Sequence, residues 1–442
     1  MQTSFTDAQL ANPEIAVAND ILRTCVHCGF CTATCPTFVT LGDELDSPRG
    51  RIYLIKDMLE NNRPAGAEEV LHIDRCLSCL SCMTTCPSGV NYMHLVDHAR
   101  VHIENTFERP LDDRLMRNVL AKILPYPKRM RAALGLARLG KPFSFLLPGQ
   151  SMLVKRLRAM LTLAPPTMPP AQSLGGTVHK AVGETKGRVA LLAGCAQQAL
   201  APSINNATIS LLNRLGVEVV IPAAAGCCGA LVHHMGRHEE ALAAARRNVS
   251  AWSDETFDAI IVNTSGCGTV LKDYGFLLRN DSMAAQAAQV SAKTKDISEY
   301  LLKIYEPTQA PPGITVAYHA ACSLQHGQQI SSPPKLLLRK AGFTVVEPKD
   351  SHLCCGSAGT YNIMQPEIAA TLRRRKLDTL KAKAPDVIAA GNIGCLTQLA
   401  GDGIPTVHMV ELLNWMAGGE KPKGLATRHS RESGNLVEEQ QN

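Results

Sequence analysis

The chain has 442 residues, 45% of them hydrophobic and only 4% aromatic, with 16 cysteines and a formal net charge of +6. That length suggests two to four domains with an aliphatic core, and so small a net charge gives no ground for expecting nucleic acid. The opening MQTSFTDAQLANPEIAVAND lacks the apolar core of an export signal, and no run of about 18 apolar residues predicts a membrane span, so the cysteines are read as reduced ligands in a cytoplasmic protein rather than as disulfides.

Residues 1–105 form the first unit, with helical segments and eight cysteines in two motifs. Cys25-x2-Cys28-x2-Cys31-x3-Cys35-Pro36 is followed by Cys76-x2-Cys79-x2-Cys82-x3-Cys86-Pro87. This is the bacterial two-cluster ferredoxin run. Three thiolates from one short loop take three irons of a cubane. The fourth cysteine follows a longer spacer and points into the other cluster, and the proline turns the chain away. One [4Fe–4S] cluster is therefore expected on Cys25, Cys28, Cys31 and Cys86, and a second on Cys76, Cys79, Cys82 and Cys35. Zinc also takes paired C-x2-C units, but seldom at 2-2-3 spacing with a following proline, twice over. Gly29 is expected to let the backbone pass close to a sulfide, and Ser78 and Ser81 to keep the second loop small and polar. Between the motifs, Ser47 reads as a helix N-cap with Pro48 at the first helical position. Arg49 and Arg51 lie one turn on. A guanidinium there would raise a cluster's potential, although a solvated helix start is the simpler expectation.

Residues 106–187 contain no cysteine, and from Arg114 to Gly183 no Asp or Glu. Lys128, Arg129, Arg131, Arg138, Lys141, Lys155, Arg156 and Arg158 alternate with apolar residues, as in SMLVKRLRAMLTL. Such basic amphipathic helices suit an anionic membrane surface or an acidic partner face. The stretch closes with the Pro/Gly-rich PPTMPPAQSLGG and reads as a basic helical linker.

Residues 188–420 repeat internally. Cys195, Cys227, Cys228 and Cys267 recur as Cys322, Cys354, Cys355 and Cys395, with matching words AGCCGA/HLCCGSAG and TSGCG/NIGCL. Two tandem α/β domains, 188–305 and 306–420, are expected. Each has a β-α-β rhythm: the strands RVALLAGC, VEVVIP and AIIVNTSGC, then ITVAYHAAC, FTVVEP and DVIAAGNIGC. The helix SINNATISLLNRLG ends at Gly216. Three of four cysteine positions follow a strand, and open parallel sheets gather ligands at the carboxyl ends of their strands. Each quartet is thus a candidate metal site, for a further iron–sulfur cluster or for zinc, with a mainly structural role as the alternative. His319, His326, His233 and His234 lie near these cysteines and are read as ordinary packed histidines. Residues 421–442 are polar and aperiodic and are expected to be a disordered tail.

The CCG repeats resemble the cysteine-rich domain of heterodisulfide reductases, except that Val270 and Gln398 stand where that pattern has a fifth cysteine. Taken together, RTCVHCGFCTATCPTF, LGDELDSPRGRIYLIK, DRCLSCLSCMTTCPSGV, GCAQQALAPSINNAT, SGCGTVLKDYG and DSHLCCGSAGTY resemble the iron–sulfur subunit of bacterial glycolate oxidase, from about residue 5 to about residue 415. The order of parts is also similar to lactate-utilisation proteins and to the iron–sulfur subunit of anaerobic glycerol-3-phosphate dehydrogenase. The resemblance implies an oxidoreductase subunit that carries electrons and performs no hydroxy-acid chemistry itself. It implies FAD on partner glycolate oxidase subunits that oxidise glycolate or D-lactate, and delivery toward a membrane quinone at the cytoplasmic face of the inner membrane. A lactate or glycerol-3-phosphate dehydrogenase, or a reductase of disulfide or quinone, is the alternative reading. The chain itself offers no GxGxxG after its first strands and no acid–base pair for proton abstraction.

Overall fold

The computed structural model describes residues 1–147, 149–253 and 256–425. Its amino-terminal part is a helical cage around the two cysteine loops. Helix α1 (Pro13–Thr24) starts at Asn12, whose side chain accepts from the Glu14 N–H. Helix α2 (Pro48–Glu60) starts as expected, with the Ser47 hydroxyl accepting from the Gly50 N–H at 2.9 Å. Apolar residues recur along α2 at helical spacing, and Ile52, Ile55, Met58 and Leu59 are buried against Leu22, against Ile73 of α3 (Ala67–Asp74), and against Leu95, Val96, Ala99 and Ile103 of α4 (Tyr92–Thr106). Each such side chain contributes roughly 1.5–3 kcal/mol relative to exposure.

Three helices follow: α5 (Leu111–Ile123), α6 (Pro127–Gly140) and α7 (Met152–Leu163). They pack against both repeats. Met116 and Leu120 of α5, with Leu157 and Met160 of α7, share a buried cluster with Val232 and Met235 from the first repeat and Ile363 from the second. Arg117 pairs with Asp74 at 3.0 Å, and Arg156 with Asp113 at 2.8 Å. The segment therefore bridges both repeats.

The first repeat contains β1 (Thr177–His179), β2 (Gly187–Leu191), α8 (Pro202–Arg214), β3 (Val217–Ile221), α9 (His238–Ser253), β4 (Ala259–Val262), α10 (Ser265–Lys272) and β5 (Thr294–Asp296). Its sheet runs β1-β3-β2-β4-β5, with Val189 opposite both Val219 and Ala259, and only β1 antiparallel. The second contains β6 (Thr315–His319), α11 (Pro333–Lys340), β7 (Thr344–Val346), α12 (Pro366–Lys381), β8 (Val387–Ala390), α13 (Ile393–Leu399), β9 (Thr406–His408) and α14 (Met409–Met416). Its order, β7-β6-β8-β9, repeats the parallel part of the first sheet. Every residue of β4 and β8 is buried, as parallel strands covered on both faces require. Gly216 follows α8 in the left-handed region at φ +85°, and a Cβ there would lie 3.0 Å from the Glu184 carbonyl oxygen.

β1 was not anticipated. It comes from within 106–187 and pairs with β3, so the first sheet begins before residue 188. The repeats share one apolar core and are stitched together where α10 meets the turn after Cys322: Ser265 and Ser323 hydroxyls are 2.7 Å apart, and Thr269 Oγ1 donates to the Ser323 carbonyl at 2.8 Å. Of the polar tail, residues 421–425 pack on the second repeat, with Lys421 Nζ over the Trp415 ring at 5.4 Å and Leu425 buried. The rest of that expectation, 426–442, lies outside the described residues. Among the described residues no helix is long and apolar enough to cross a membrane.

Candidate metal centres

The two ferredoxin loops share one backbone feature. In each, the residues just before and just after the middle cysteine are left-handed: His27 (φ +61°) and Gly29 (+86°), then Ser78 (+48°) and Leu80 (+61°). A non-glycine residue in that region costs on the order of 1 kcal/mol, and alternating right- and left-handed residues turn successive N–H groups toward one anionic centre. Only Gly29 was legible as such a position. A Cβ on Gly29 would stand 2.6 Å from Arg49 Nη1.

Cys25, Cys28, Cys31 and Cys86 line one small cavity with Arg49 and Tyr92, and Cys82 of the second set borders it too. Cys28 is exposed there, beside exposed Val26 and Phe30. Cys35, Cys76, Cys79 and Cys82 are buried. Burial pushes the Cys82 thiol well up, and the nearby Cys79, Cys76 and Cys35 push it further. Burial likewise raises Cys31 to about 11, against a hydrogen bond from the Arg49 backbone. Thiols crowded and held neutral in this way are what a polycationic iron cluster would deprotonate and bind, so the donor set fits.

The expectation of a solvated helix start at Arg49 and Arg51 holds for one of the two. Arg49 is part-exposed and pairs with Glu44 at 2.7 Å. Arg51 is 1% exposed. Its Nη1 donates toward Cys35 Sγ at 3.8 Å, Nη2 to Thr37 Oγ1 at 3.0 Å and Asp46 at 3.2 Å, and Nε to the His72 carbonyl at 2.7 Å. Asp46 also receives Arg75 at 2.8 Å and meets His72 at 3.0 Å.

In the repeats, each cysteine quartet converges after its sheet's parallel strands. Cys195 and Cys227 sulfurs are 3.5 Å apart, and Cys322 and Cys354 sulfurs 3.7 Å. Hydrogen bonds from Cys195 and then Cys228 pull the Cys227 thiol well down, and those from Cys322 and Cys355 do the same for Cys354. The first cysteine of each CC pair is thus the favoured thiolate in both copies. The copies differ at His319, whose place in the first repeat is taken by Leu192. Buried His319 has a ring nitrogen within 4.8 Å of the Cys355 and Cys395 sulfurs, and neither ring nitrogen meets a nitrogen or oxygen partner among the described residues. Cys395 is lowered to about 6, chiefly by its hydrogen bond with Cys355, with His319 adding to it. His319 thus faces the second quartet at the place where the first copy presents Leu192.

The other three histidines tie units together. His326 meets Thr84 at 2.7 Å and the His352 carbonyl at 3.0 Å. His233 and His234 contact Asp97 of α4 at 3.2 and 3.3 Å. Burial alone would raise Asp97, but the two rings hold it well below the usual carboxylate range. Arg100 links this group to the second loop through the Cys76 carbonyl at 2.8 Å. That loop in turn touches the second repeat, since Leu77 and Cys79 share a buried cluster with Cys322 and Cys354. All eight repeat cysteines line one cavity of about 390 Å³. Sequence periodicity carries no sign of this cavity, because its walls come from segments more than a hundred residues apart.

A two-cluster ferredoxin cage leading into paired cysteine-rich α/β repeats defines an iron–sulfur electron-transfer subunit. Residues 24–90 match the 4Fe-4S dicluster domain family, and residues 189–272 and 316–400 each match the cysteine-rich domain family. The chain is 42% identical to the glycolate oxidase iron-sulfur subunit of Escherichia coli K12 over 93% of this chain and 98% of that one. It is 32% identical to the probable glycolate oxidase iron-sulfur subunit of Bacillus subtilis 168, over 90% and 94%. It is also 28% identical to lactate utilization protein A of an Exiguobacterium strain, over 51% of this chain and 96% of that one. A hypothetical protein from Helicobacter pylori shares the fold at TM-score 0.52 and 10% identity, over 93% of this chain and 74% of that chain. The chain belongs to the glycolate oxidase iron–sulfur subunit family.

Proposed function

We propose that this chain carries electrons within a glycolate-oxidising complex. Flavin-bearing partner subunits oxidise glycolate, or D-lactate, and this chain passes the electrons to an acceptor at the membrane. The observation that carries the reading is the run of cysteines from the surface inward: exposed Cys28, then the buried second set, then Cys79 packed with Cys322 and Cys354. Exposed Val26 and Phe30 beside Cys28 offer an apolar contact for the donor subunit.

When bound, the two [4Fe–4S] clusters supply one-electron transfer. Cys25, Cys28, Cys31 and Cys86 hold one, and Cys76, Cys79, Cys82 and Cys35 the other. The buried Arg51 stabilises negative charge at Cys35, and left-handed Ser78 and Leu80 turn backbone N–H groups of the loop that shares this cluster toward it. The repeat quartets hold further metal, all-sulfur in the first copy and with His319 available as a nitrogen ligand in the second. The basic face of the bridging helices rests on the cytoplasmic side of the inner membrane. Leu136, Leu139, Phe143 and Phe145 are exposed there among Arg138 and Lys141, neither of which has a carboxylate partner among the described residues.

Iron and acid-labile sulfide analysis of anaerobically purified complex tests this reading, together with Cys28→Ser. About eight irons per chain account for the ferredoxin cage alone, and more for the repeats. The Cys28→Ser variant is expected to lose or convert one cluster and to stop glycolate-linked dye reduction. Full turnover with that change, or a metal-free active complex, overturns the proposal.

A further inference from the structure

The two cysteine quartets repeat each other, but the groups around them do not. In each copy the CCG glycine rests on the long helix that follows it, Gly229 beside Ala241 and Ala244 of α9, and Gly356 beside Ala369 and Leu372 of α12. These contacts set the two helices in register. Two turns further along, Asn248 of the first copy stands where Lys376 stands in the second. Asn248 is buried, neutral and satisfied. Its Oδ1 accepts from the Gly226 N–H at 2.8 Å, and its amide donates to the Cys227 carbonyl and to Tyr274 Oη, each at 3.0 Å. Lys376 is 3% exposed, and its ammonium donates to the Asp350 carbonyl at 2.8 Å. No carboxylate pairs with it among the described residues, and the Asp350 carboxylate pairs with Arg375 instead.

A buried cation without a carboxylate needs negative charge from another source. Burial lowers the Lys376 pKa from the ordinary lysine value, and Cys355, Cys354, Asp350 and Cys395 act against this. Three of those four are thiols of the second quartet. His319 adds to the contrast, facing Cys355 and Cys395 where the first copy has apolar Leu192. The first copy has a cation too, Arg247, which donates to the Cys227 carbonyl at 3.1 Å, but it is exposed and solvent screens it. Contact with the ferredoxin cage differs as well. Cys322 and Cys354 share a buried cluster with Leu77 and Cys79, whereas Cys227 and Cys228 sit in one drawn wholly from the first repeat.

We propose that Lys376, helped by His319, makes the second quartet the electron-collecting one of the pair: its iron–sulfur centre stands at higher potential than the first quartet's and is reduced directly from the Cys79 loop. The proposal rests on the reading above that both quartets hold metal. Lys376 acts through its charge and is no ligand. A reduced centre is more negative by one charge, and a buried cation nearby favours that form. One electron leaves the cluster that Cys79 helps to hold, which is oxidised, and reduces the second-quartet centre. No bond forms or breaks, and no proton moves.

The test is a redox titration of the whole, anaerobically purified complex, followed by electron paramagnetic resonance. The wild type is expected to show two centres besides the ferredoxin pair, their reduction equilibria roughly tenfold or more apart, about 59 mV for one electron. Cys354→Ser should remove the higher-potential centre and Cys227→Ser the lower. Lys376→Met keeps an unbranched apolar stem without the charge. It is expected to lower the higher potential by a similar amount and leave the other centres unmoved, and Lys376→Arg should restore it. Equal potentials in the wild type, loss of the lower-potential centre in Cys354→Ser, or an unmoved potential in an iron-replete Lys376→Met complex each overturns the proposal. Where Lys376→Met does not fold, the wild-type separation and the Cys354→Ser assignment decide. Iron analysis of the same samples reports the underlying reading separately. About eight irons per chain with no signal beyond the ferredoxin pair removes the metal from the repeats, and the proposal with it. Extra iron with equal potentials removes the inequality alone.

Discussion

Arg51 Nη1 stands 3.8 Å from Cys35 Sγ, and the same guanidinium is buried against Asp46. A buried cation held next to a ligand sulfur favours the more negative, reduced form of whatever that sulfur binds, at a site where solvent screens little. Arg51→Gln is expected to lower the midpoint potential of the cluster assigned to Cys35. It should also destabilise the fold by about 3 kcal/mol, the lower end for breaking a buried pair, because Asp46 keeps Arg75. Redox titration followed by electron paramagnetic resonance, together with denaturant unfolding, checks both. Unmoved potentials in a variant that retains both clusters would dismiss the electrostatic role.

The two CCG glycines look equivalent in sequence and are not. Both are left-handed, Gly229 at φ +84° and Gly356 at +90°. A Cβ on Gly229 would meet the Ala244 side chain at 3.1 Å, whereas one on Gly356 would meet the Ala369 carbonyl oxygen at 2.7 Å. Alanine at either position is expected to lose about 1 kcal/mol from the backbone conformation, with a further loss at 356, where backbone must move. Urea unfolding of the two variants should rank Gly356→Ala as clearly the less stable.

His408 is fully buried and caps α14, its Nδ1 accepting from the Val410 N–H at 3.1 Å. Burial lowers its pKa from 6.5 to about 4. Between those values the unfolded chain binds a proton that the folded chain does not, so stability falls as pH drops through that window. The loss reaches on the order of 3 kcal/mol near pH 4. His408→Asn keeps a capping acceptor without the titration and is expected to flatten this part of the stability–pH curve. An unchanged slope would show that other groups account for it.

His319 has no counterpart in the first repeat, so replacing it by leucine makes the second copy like the first. His319→Leu is expected to weaken metal retention in the second repeat, roughly 10–100-fold in affinity if the ring supports or supplies a ligand. Metal analysis after graded chelation measures this, and identical retention would leave His319 a packing residue.

The exposed leucines of α6 give a binding assay. The double change Leu136→Glu, Leu139→Glu is expected to release the complex from vesicles containing phosphatidylglycerol. Wild-type binding should weaken with added salt, as the basic face requires. Equal sedimentation of both proteins with such vesicles would count against the membrane face.

Much of the site was legible because its information is local. The 2-2-3 spacing of the ferredoxin cysteines, the proline after each, and the Ser47 cap are all set within one or two turns of backbone, where covalent geometry limits the outcomes. The 127-residue repeat likewise exposed both CCG quartets and most strands. Short β1, β5 and β9 lack the run of β-branched residues that marked the equally short β7, and pairing in the sheet makes them strands.

Sequence alone determined which thiols are available and in what order along the chain, since ligand spacing is a property of the backbone between them. Tertiary structure decided where charge and apolar surface stand relative to those thiols. It buried Arg51 but not Arg49, set His319 beside Cys355 and Cys395, and turned an apparent linker into the roof of a chamber. Each of these depends on side chains brought together from distant segments, and burial there acts on the charged and apolar groups alike.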